Sequence, residues 1–577
     1  MKVSDYIAEY LAEKQVPVVF ELIGGMITFL VDSIHLHGKT RIVSMHHEQG
    51  AAFAAEAAAR ISRIPCVAMA TSGPGATNLL TGVGSCYFDS TPVVFITGQV
   101  NRFERKGSSG VRQLGFQETD IVQMVKPIVK RAWSVEDPEE MPAILEEAFK
   151  TAASGRPGPV LIDIPMDVQR ANIDPPGRCQ QSTGTGLAGR MTETDALVIR
   201  DALMKAKHPL ILAGGGIQSA NAADAFQELV AIAHVPVVHS LMAVDTLQWD
   251  DPLNAGMIGS YGNRWSNLAI SEADMLLVLG SRLDVRQTGS DTQGFKEGRE
   301  IFHVDCDVAE MNNRVKGCHA IVSELGPAIR TLIEVLVPDS SYLSERFAPW
   351  TASIHELRRT WPDVDELRDI ERINPNRFMH QLSRATREAS AYVVDVGQHQ
   401  MWAAQSLEMQ KGQRFLTSGG MGSMGFALPA AIGAAVAQPE RSVVMIAGDG
   451  SFQCNVQELQ TVARLRLPIK MVVINNECLG MVRQFQQSYF EARYQSTMWD
   501  YSAPDFSAVA NAYGIPSRTV DDPVLVDAAV EWLSNENGPS LLQVMVSPYA
   551  NAYPKLAFGK GMASMEPQEL SVKMEST

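Results

Sequence analysis

The stretch Ile446–Leu459, IAGDGSFQCNVQEL, and the later Val472–Val482, VVINNECLGMV, decide how this chain reads. Each begins as a β-branched apolar run, long enough for a buried strand, and then breaks into glycine or a side-chain amide. Asp449 stands between Gly448 and Gly450, and Asn476 stands at the end of the second run. In a parallel β-α-β unit both strand ends emerge on one edge of the sheet. A carboxylate and an amide oxygen there suit a hard divalent cation such as Mg2+, which keeps phosphate oxygens among its ligands. Glycines beside the aspartate let a diphosphate approach the backbone, and the following helix offers its N-terminus to the anion. Asp-Gly alone reads as a turn, and Asn-Asn alone as a cap. The pair, each behind a strand, points to a metal-bound diphosphate.

The alternation of strand and helix extends outward in both directions. In the first segment RIVSM, CVAMAT and PVVFITG are strand-like, while Glu48–Ser62 and Ala76–Tyr87 are helix-like. PLILAGGGI, VPVVHSL, MLLVLGSRLD and EIFHVDCD repeat the pattern in the second segment, and AYVVDVGQ, IKMVVINN and SLLQVMV in the third. This implies an α/β protein of three doubly wound parallel-sheet domains. The expected boundaries are 1–172, 190–340 and 365–550, with a tail over 551–577 that is a mobile lid or disordered. A Gly/Pro/Ser/Thr-rich linker, DPPGRCQQSTGTGLAGR, separates the first two. TSGPGATN at Thr71 and TSGGMGSMG at Thr417 both pass through a glycine-rich turn into a helix of small residues, so the first and third domains are expected to be related.

A chain of 577 residues exceeds one core and agrees with three domains. The net charge of -16 argues against nucleic acid or an anionic membrane as partner. Seven scattered cysteines, without a CxxC pair, argue against a disulfide framework or zinc knuckle and fit a reducing cytoplasm. The N-terminus MKVSDYIAEYLAEKQ reads as an amphipathic helix, not a signal peptide. Phe415–Pro439 lacks charge but is broken by glycines and a proline, so it reads as a buried loop plus helix, not a membrane span.

SMHHEQGAAF, Ser44–Phe53, sets two histidines against Glu48. Adjacent histidines point apart and no HExxH spacing follows, which argues against zinc. Glu48 then reads either as an acidic residue favoured at a helix start or as an acid/base. GGMGSMG satisfies GxGxxG from Gly420 to Gly425, but it lacks a suitably placed acidic residue about 20 positions on.

Taken in order, HEQGAAF, ATSGPGATNLLTG, ITGQV, FQETDIV, GRPGPVLIDIP, GGGI, VGQHQMWAAQ, TSGGMGSMGFALPAAIG, GDGSFQ and NNECLGMV resemble the acetohydroxyacid (acetolactate) synthase-like branch of the thiamine diphosphate enzymes along nearly the whole chain. The resemblance implies that Glu48 hydrogen-bonds the cofactor's aminopyrimidine and activates it. It assigns Met424 to propping the bent cofactor. It assigns Val396, Gly397, Gln398, His399, Gly422, Gly448, Gly450, Ser451, Leu479, Gly480 and Met481 to binding it. Asp449, Asn476 and the backbone carbonyl of Cys478 would hold Mg2+. Gly25 and Gln117 are implied in catalysis, with Phe116 and Phe485 at the substrate. FAD without a redox role is implied in the central domain, at Arg156, Gly214, Gly215, Arg282, Arg286 and Asp305. The family further implies a homodimer or homotetramer, with Glu48 of one subunit meeting the Asp449 site of another.

Departures cluster on the acceptor side. Phe485 stands in MVRQFQQ where the family has tryptophan, which favours 2-ketobutyrate. The loop QVNRFERKGSSGVRQLGFQE has Asn101 for a proline and is lengthened, with Arg102, Arg105, Lys106 and Arg112 as candidate phosphate contacts. ELIGGM, with Glu21 and Met26, replaces GYPGGA. Val285 replaces the second Asp of the expected RFDDRVTG, and AIVSELG stands where a GDV-like element is expected. The expectation is a carboligase that decarboxylates pyruvate and transfers the acetyl unit to a ketone, a nucleotide-linked keto sugar being the favoured acceptor. The alternatives are acetolactate synthase, with a second pyruvate as acceptor, and a pyruvate-oxidase-like flavoenzyme.

Overall fold

The computed structural model describes residues 1–174 and 189–568. Most of the expected linker, with Cys179, and the last nine residues lie outside them. Three six-stranded sheets form the frame. The first comprises β1 (Val18–Leu22), β2 (Arg41–Ser44), β3 (Cys66–Ala70), β4 (Val93–Gln99), β5 (Arg131–Ser134) and β6 (Val160–Pro165). The second comprises β7 (Pro209–Ala213), β8 (Val237–His239), β9 (Asn254–Met257), β10 (Met275–Leu279), β11 (Glu300–Asp305) and β12 (His319–Val322). The third comprises β13 (Ala391–Val394), β14 (Arg414–Leu416), β15 (Val443–Gly448), β16 (Ile469–Asn475), β17 (Ser517–Val520) and β18 (Ser540–Met545). All pairings within these sheets are parallel.

The order in the first sheet is β2-β1-β3-β4-β6-β5, and the third repeats it as β14-β13-β15-β16-β18-β17. The likeness between the two glycine-rich turns is therefore matched by a common topology. The second sheet runs β12-β11-β10-β7-β8-β9. Counted within that domain this is the 3-2-1-4-5-6 order of dinucleotide-binding folds, with its crevice where β7 lies beside β10.

The helix Glu48–Ser62 is built almost wholly of small residues because it is sandwiched. It covers the first sheet on one side and the helix Ala427–Ala437 on the other, in one continuous core. A Cβ on Gly433 would fall 2.0 Å from the Ala54 carbonyl oxygen, so only glycine permits this approach. Arg60 closes the seam, donating to the Thr417 carbonyl at 2.9 Å and pairing with Asp89 at 3.0 Å. Phe415–Pro439 contributes the end of β14, a glycine turn and this buried helix. Among the described residues no helix is long and apolar enough to cross a membrane.

The tail expected to be a lid or disordered is packed as far as residue 568. The Trp402 indole donates to the Asn551 carbonyl, and the Leu556 amide donates to the Ser260 carbonyl at 2.9 Å. Leu556, Met562 and Met565 complete the core of the second domain, around an antiparallel pair of β19 (Lys555–Leu556) and β20 (Met565–Glu566). Those methionines, read as part of a polar tail, are core residues.

Candidate active site

Three turns meet at the carboxyl edge of the third sheet. After β13 come Val396, Gly397, Gln398 and His399; after β15 come Gly448, Asp449, Gly450 and Ser451; after β16 come Asn476, Cys478, Leu479, Gly480 and Met481. With Gly422 and Met424 from the glycine-rich turn, all of them line one cavity of about 1270 Å³. Asp449 is 3% exposed; its Oδ1 accepts from the Gly450 amide at 2.9 Å, whereas Oδ2 is buried with no hydrogen bond of good geometry among the described residues, the Tyr501 hydroxyl being a neighbouring donor. Burial pushes this carboxyl up to about 7. A buried oxygen that lacks a well-placed donor is costly, and a cation is the partner that satisfies it.

Asn476 is held in place on both ends. Its amide nitrogen donates to Gln398 Oε1 at 3.2 Å, and its Oδ1 accepts from the Cys478 amide at 3.3 Å. The Cys478 thiol donates to the Pro548 carbonyl, and burial pushes it up to about 12, so it stays protonated and only its carbonyl is a candidate ligand. Burial pushes His399 down to about 3 and leaves its Nε2 unpartnered. A Cβ on Gly450 would stand 2.4 Å from Leu479 Cδ2 and 3.6 Å from Met424 Cε, so a bare backbone lies between those side chains. A cation beside Asp449, with a diphosphate over these glycine turns, fits this donor set.

The same cavity continues into the second domain, where Gly215, Arg282, Arg286 and Asp305 line it together with Arg156 of the first domain. Gly214 does not; it packs against the Gly280 backbone and lets the β7 and β10 turns approach. Arg156 pairs with Asp307 at 3.1 Å and Glu310 at 2.6 Å, and Arg282 with Asp284 at 3.2 Å. Val285 is half-exposed directly after Asp284, which caps the short helix Val285–Thr288.

A second cluster forms on the carboxyl edge of the first sheet. Glu48 is buried, and its Oε2 accepts from Asn78 Nδ2 at 3.0 Å. A Cβ on Gly75 would lie 3.2 Å from Glu48 Oε1 and 2.8 Å from Thr71, and one on Gly24, beside Gly25, would lie 2.5 Å from Thr71. A Cβ on Gly73 would lie 2.9 Å from Gln117. Glu48, Gly25 and Gln117 thus share one patch, with Phe116 beside it and 79% exposed. None of these four lines the cavity that holds Asp449. Phe485 also lies outside the lining, 53% exposed on the helix Gly480–Tyr489 and packed on Tyr489 at 4.8 Å.

Three of the four candidate phosphate contacts in the lengthened loop have their side chains engaged within the first domain. Arg102 pairs with Asp167 at 2.7 Å, Arg105 pairs with Glu136, and Lys106 donates to the Arg112 carbonyl. Asn101 closes a capping box with Glu104. These charges tie the loop to its own domain.

Sequence reasoning missed Asn78 and Thr71, although both lie in the quoted ATSGPGATN. It also missed Asp395, whose carboxylate accepts from the amides of Val396, Gly425 and Ala427 and so pulls the glycine-rich turn onto β13. Burial pushes that carboxyl up to about 6. An acidic residue ending the AYVVD run was its only signal.

Three thiamine pyrophosphate enzyme family models match the chain: the N-terminal TPP binding domain over 1–124, the central domain over 198–332 and the C-terminal TPP binding domain over 395–544. The acetolactate synthase isozyme 2 large subunit of Escherichia coli (strain K12) is 37% identical over 567 residues, covering 98% of this chain and 99% of its own. The acetolactate synthase large subunit of Porphyra purpurea is 36% identical, covering 95% and 92%, and that of Lactococcus lactis is 34% identical, covering 96% and 94%. By these matches the chain belongs to the thiamine pyrophosphate enzymes and is a thiamine-diphosphate-dependent enzyme of the acetolactate synthase type.

Proposed function

We propose that the protein decarboxylates pyruvate and joins the acetyl unit to the carbonyl of a second pyruvate, forming acetolactate. The likeness to acetolactate synthase large subunits at full length supports this acceptor over the keto sugar favoured from the sequence. The pairing of Arg102 and Arg105 with their own domain supports it too, since those guanidinium groups are engaged by carboxylates. The cofactor chemistry shared by every acceptor considered is carried by Asp449, whose buried Oδ2 makes no hydrogen bond of good geometry among the described residues, beside Asn476 at the mouth of glycine turns.

Asp449, Asn476 and the Cys478 carbonyl hold Mg2+, and the turns at Val396–His399 and Gly448–Ser451 receive the diphosphate. Gly422, Leu479, Gly480 and Met481 flank the cofactor, and Met424 supports it. When bound, the cofactor supplies the electron sink that permits loss of CO2 from pyruvate. Glu48, oriented by Asn78, holds and moves the proton that activates it. The Gly25 amide and Gln117 serve the reacting oxygen, with Phe116 and Phe485 at the acceptor. Because Glu48 lies outside the cavity of its own chain, a second copy completes each site, giving a homodimer or homotetramer.

Supplying pyruvate with a panel of keto acids and nucleotide-linked keto sugars, and identifying products by mass spectrometry, tests the acceptor. Acetolactate is the expected main product; a branched sugar as main product would refute this reading.

FAD is proposed in the central domain at Arg156, Gly215, Arg282, Arg286 and Asp305, with Gly214 shaping the turn. The 3-2-1-4-5-6 strand order and the crevice between the β7 and β10 turns support it. Protein purified without added flavin should release FAD on heat denaturation. A colourless protein that takes up none on reconstitution contradicts this assignment.

A further inference from the structure

We propose that Glu458 is a positioning residue that ties the Asp449 turn to the helix carrying Glu48. The inference rests on Glu48 being the residue that activates the cofactor. Glu458 ends the short 3-10 helix Val456–Glu458, which follows the helix Asp449–Gln453 within one continuous piece of chain. It is 0% exposed, and although it belongs to the third domain one oxygen of its carboxylate is spent on the first. Oε1 accepts from the His46 amide at 2.9 Å, immediately before the His47 cap of the Glu48 helix. Oε2 accepts from the Thr461 hydroxyl at 2.8 Å, which fixes the carboxylate plane.

The approach is built into the helix. A Cβ on Gly50 would stand 2.7 Å from Glu458 Oε1, so glycine at that position admits the carboxylate to the first turn. Asn455, on the same piece of chain, donates to Gln49 Oε1 at 3.1 Å and to the Gly425 carbonyl at 2.8 Å. The chain on either side of Glu48, at His46 and at Gln49, is therefore gripped from the segment that begins at Asp449. A carboxylate at a helix start satisfies free backbone amides and favours the positive end of the dipole. Here the group that does so comes from another domain, so any shift of the Asp449 segment is passed to the start of the Glu48 helix. Ordering that segment with cofactor in one site therefore orders the Glu48 of the same chain, which completes the other site of the pair.

Two substitutions separate geometry from charge. Glu458→Asp keeps the charge but withdraws the oxygens from His46 by one methylene; Glu458→Gln keeps an acceptor in place without the charge. In the full-length protein, Glu458→Asp should lower kcat/KM for CO2 release from pyruvate by about 10-fold or more, while Glu458→Gln stays within about threefold of the parent. Amide hydrogen exchange over residues 46–52 gives a readout independent of turnover. Loading with Mg2+ and thiamine diphosphate should slow exchange there in the parent and in Glu458→Gln, and leave it fast in Glu458→Asp. Any other ranking of the two variants in either measurement overturns the proposal. Parallel assay of Glu48→Gln keeps the premise separate: full activity in that variant refutes the role of Glu48 itself, whatever Glu458 does.

Discussion

Glu48→Gln is expected to abolish CO2 release from pyruvate while leaving the cofactor bound. The substitution is nearly isosteric and keeps an oxygen for Asn78 Nδ2, the partner that orients the side chain at 3.0 Å. What it removes is the ability to hold and return a proton, an effect worth about 10²–10⁴-fold for a positioned acid or base. Binding should be nearly unchanged, because the residues proposed to hold diphosphate and metal lie on the third sheet and Glu48 lines no part of their cavity. Cofactor titration by calorimetry alongside a CO2 assay checks both halves. Turnover within a few-fold of the parent would sink the assignment. Loss of binding together with activity would instead make Glu48 a structural residue.

Asp449→Asn should show an opposite pattern, with binding lost and the empty protein stabilised. Burial raises the Asp449 carboxyl from 3.8 to about 7, and its Oδ2 makes no hydrogen bond of good geometry among the described residues. Between those two values the folded chain holds a proton that the unfolded chain has released, so this group's contribution to stability falls as pH rises through that window. Asparagine carries no such charge. At pH near 8 the cofactor-free variant should therefore melt a few degrees above the parent. Mg2+ needs the carboxylate, so the parent's affinity for Mg2+ and thiamine diphosphate should strengthen as pH rises through about 7. The variant should lose about 100-fold or more of that affinity and show little pH dependence. Thermal melts with and without the cofactor, at pH 6 and 8, distinguish the cases. A variant that melts below the parent when empty, or binds as tightly, contradicts the account.

Much of the frame was legible because buried parallel strands are continuous apolar runs. AYVVDVGQ, RSVVMIAGDG, IKMVVINN and SLLQVMV each became a strand, and the turns behind the first three line the cavity. The strands not named from sequence are mainly short, exposed or at sheet edges. β5, β12 and β17 are four-residue strands at the sheet edges with exposed positions, so they carry no apolar run to recognise. The packed tail was misread for a related reason. Its methionines are spaced along an irregular segment, and burial there depends on a groove formed by the second domain.

By itself the sequence determined the fold class and pointed to a metal-bound diphosphate on the third sheet, since both readings depend on what stands within a few residues of a strand end. Only the tertiary structure decided which turns share a cavity, and that Arg102 and Arg105 are paired within their own domain. It also decided that Glu458 reaches across to the Glu48 helix. Those facts depend on contacts between residues tens to hundreds of positions apart, and local periodicity carries no record of them.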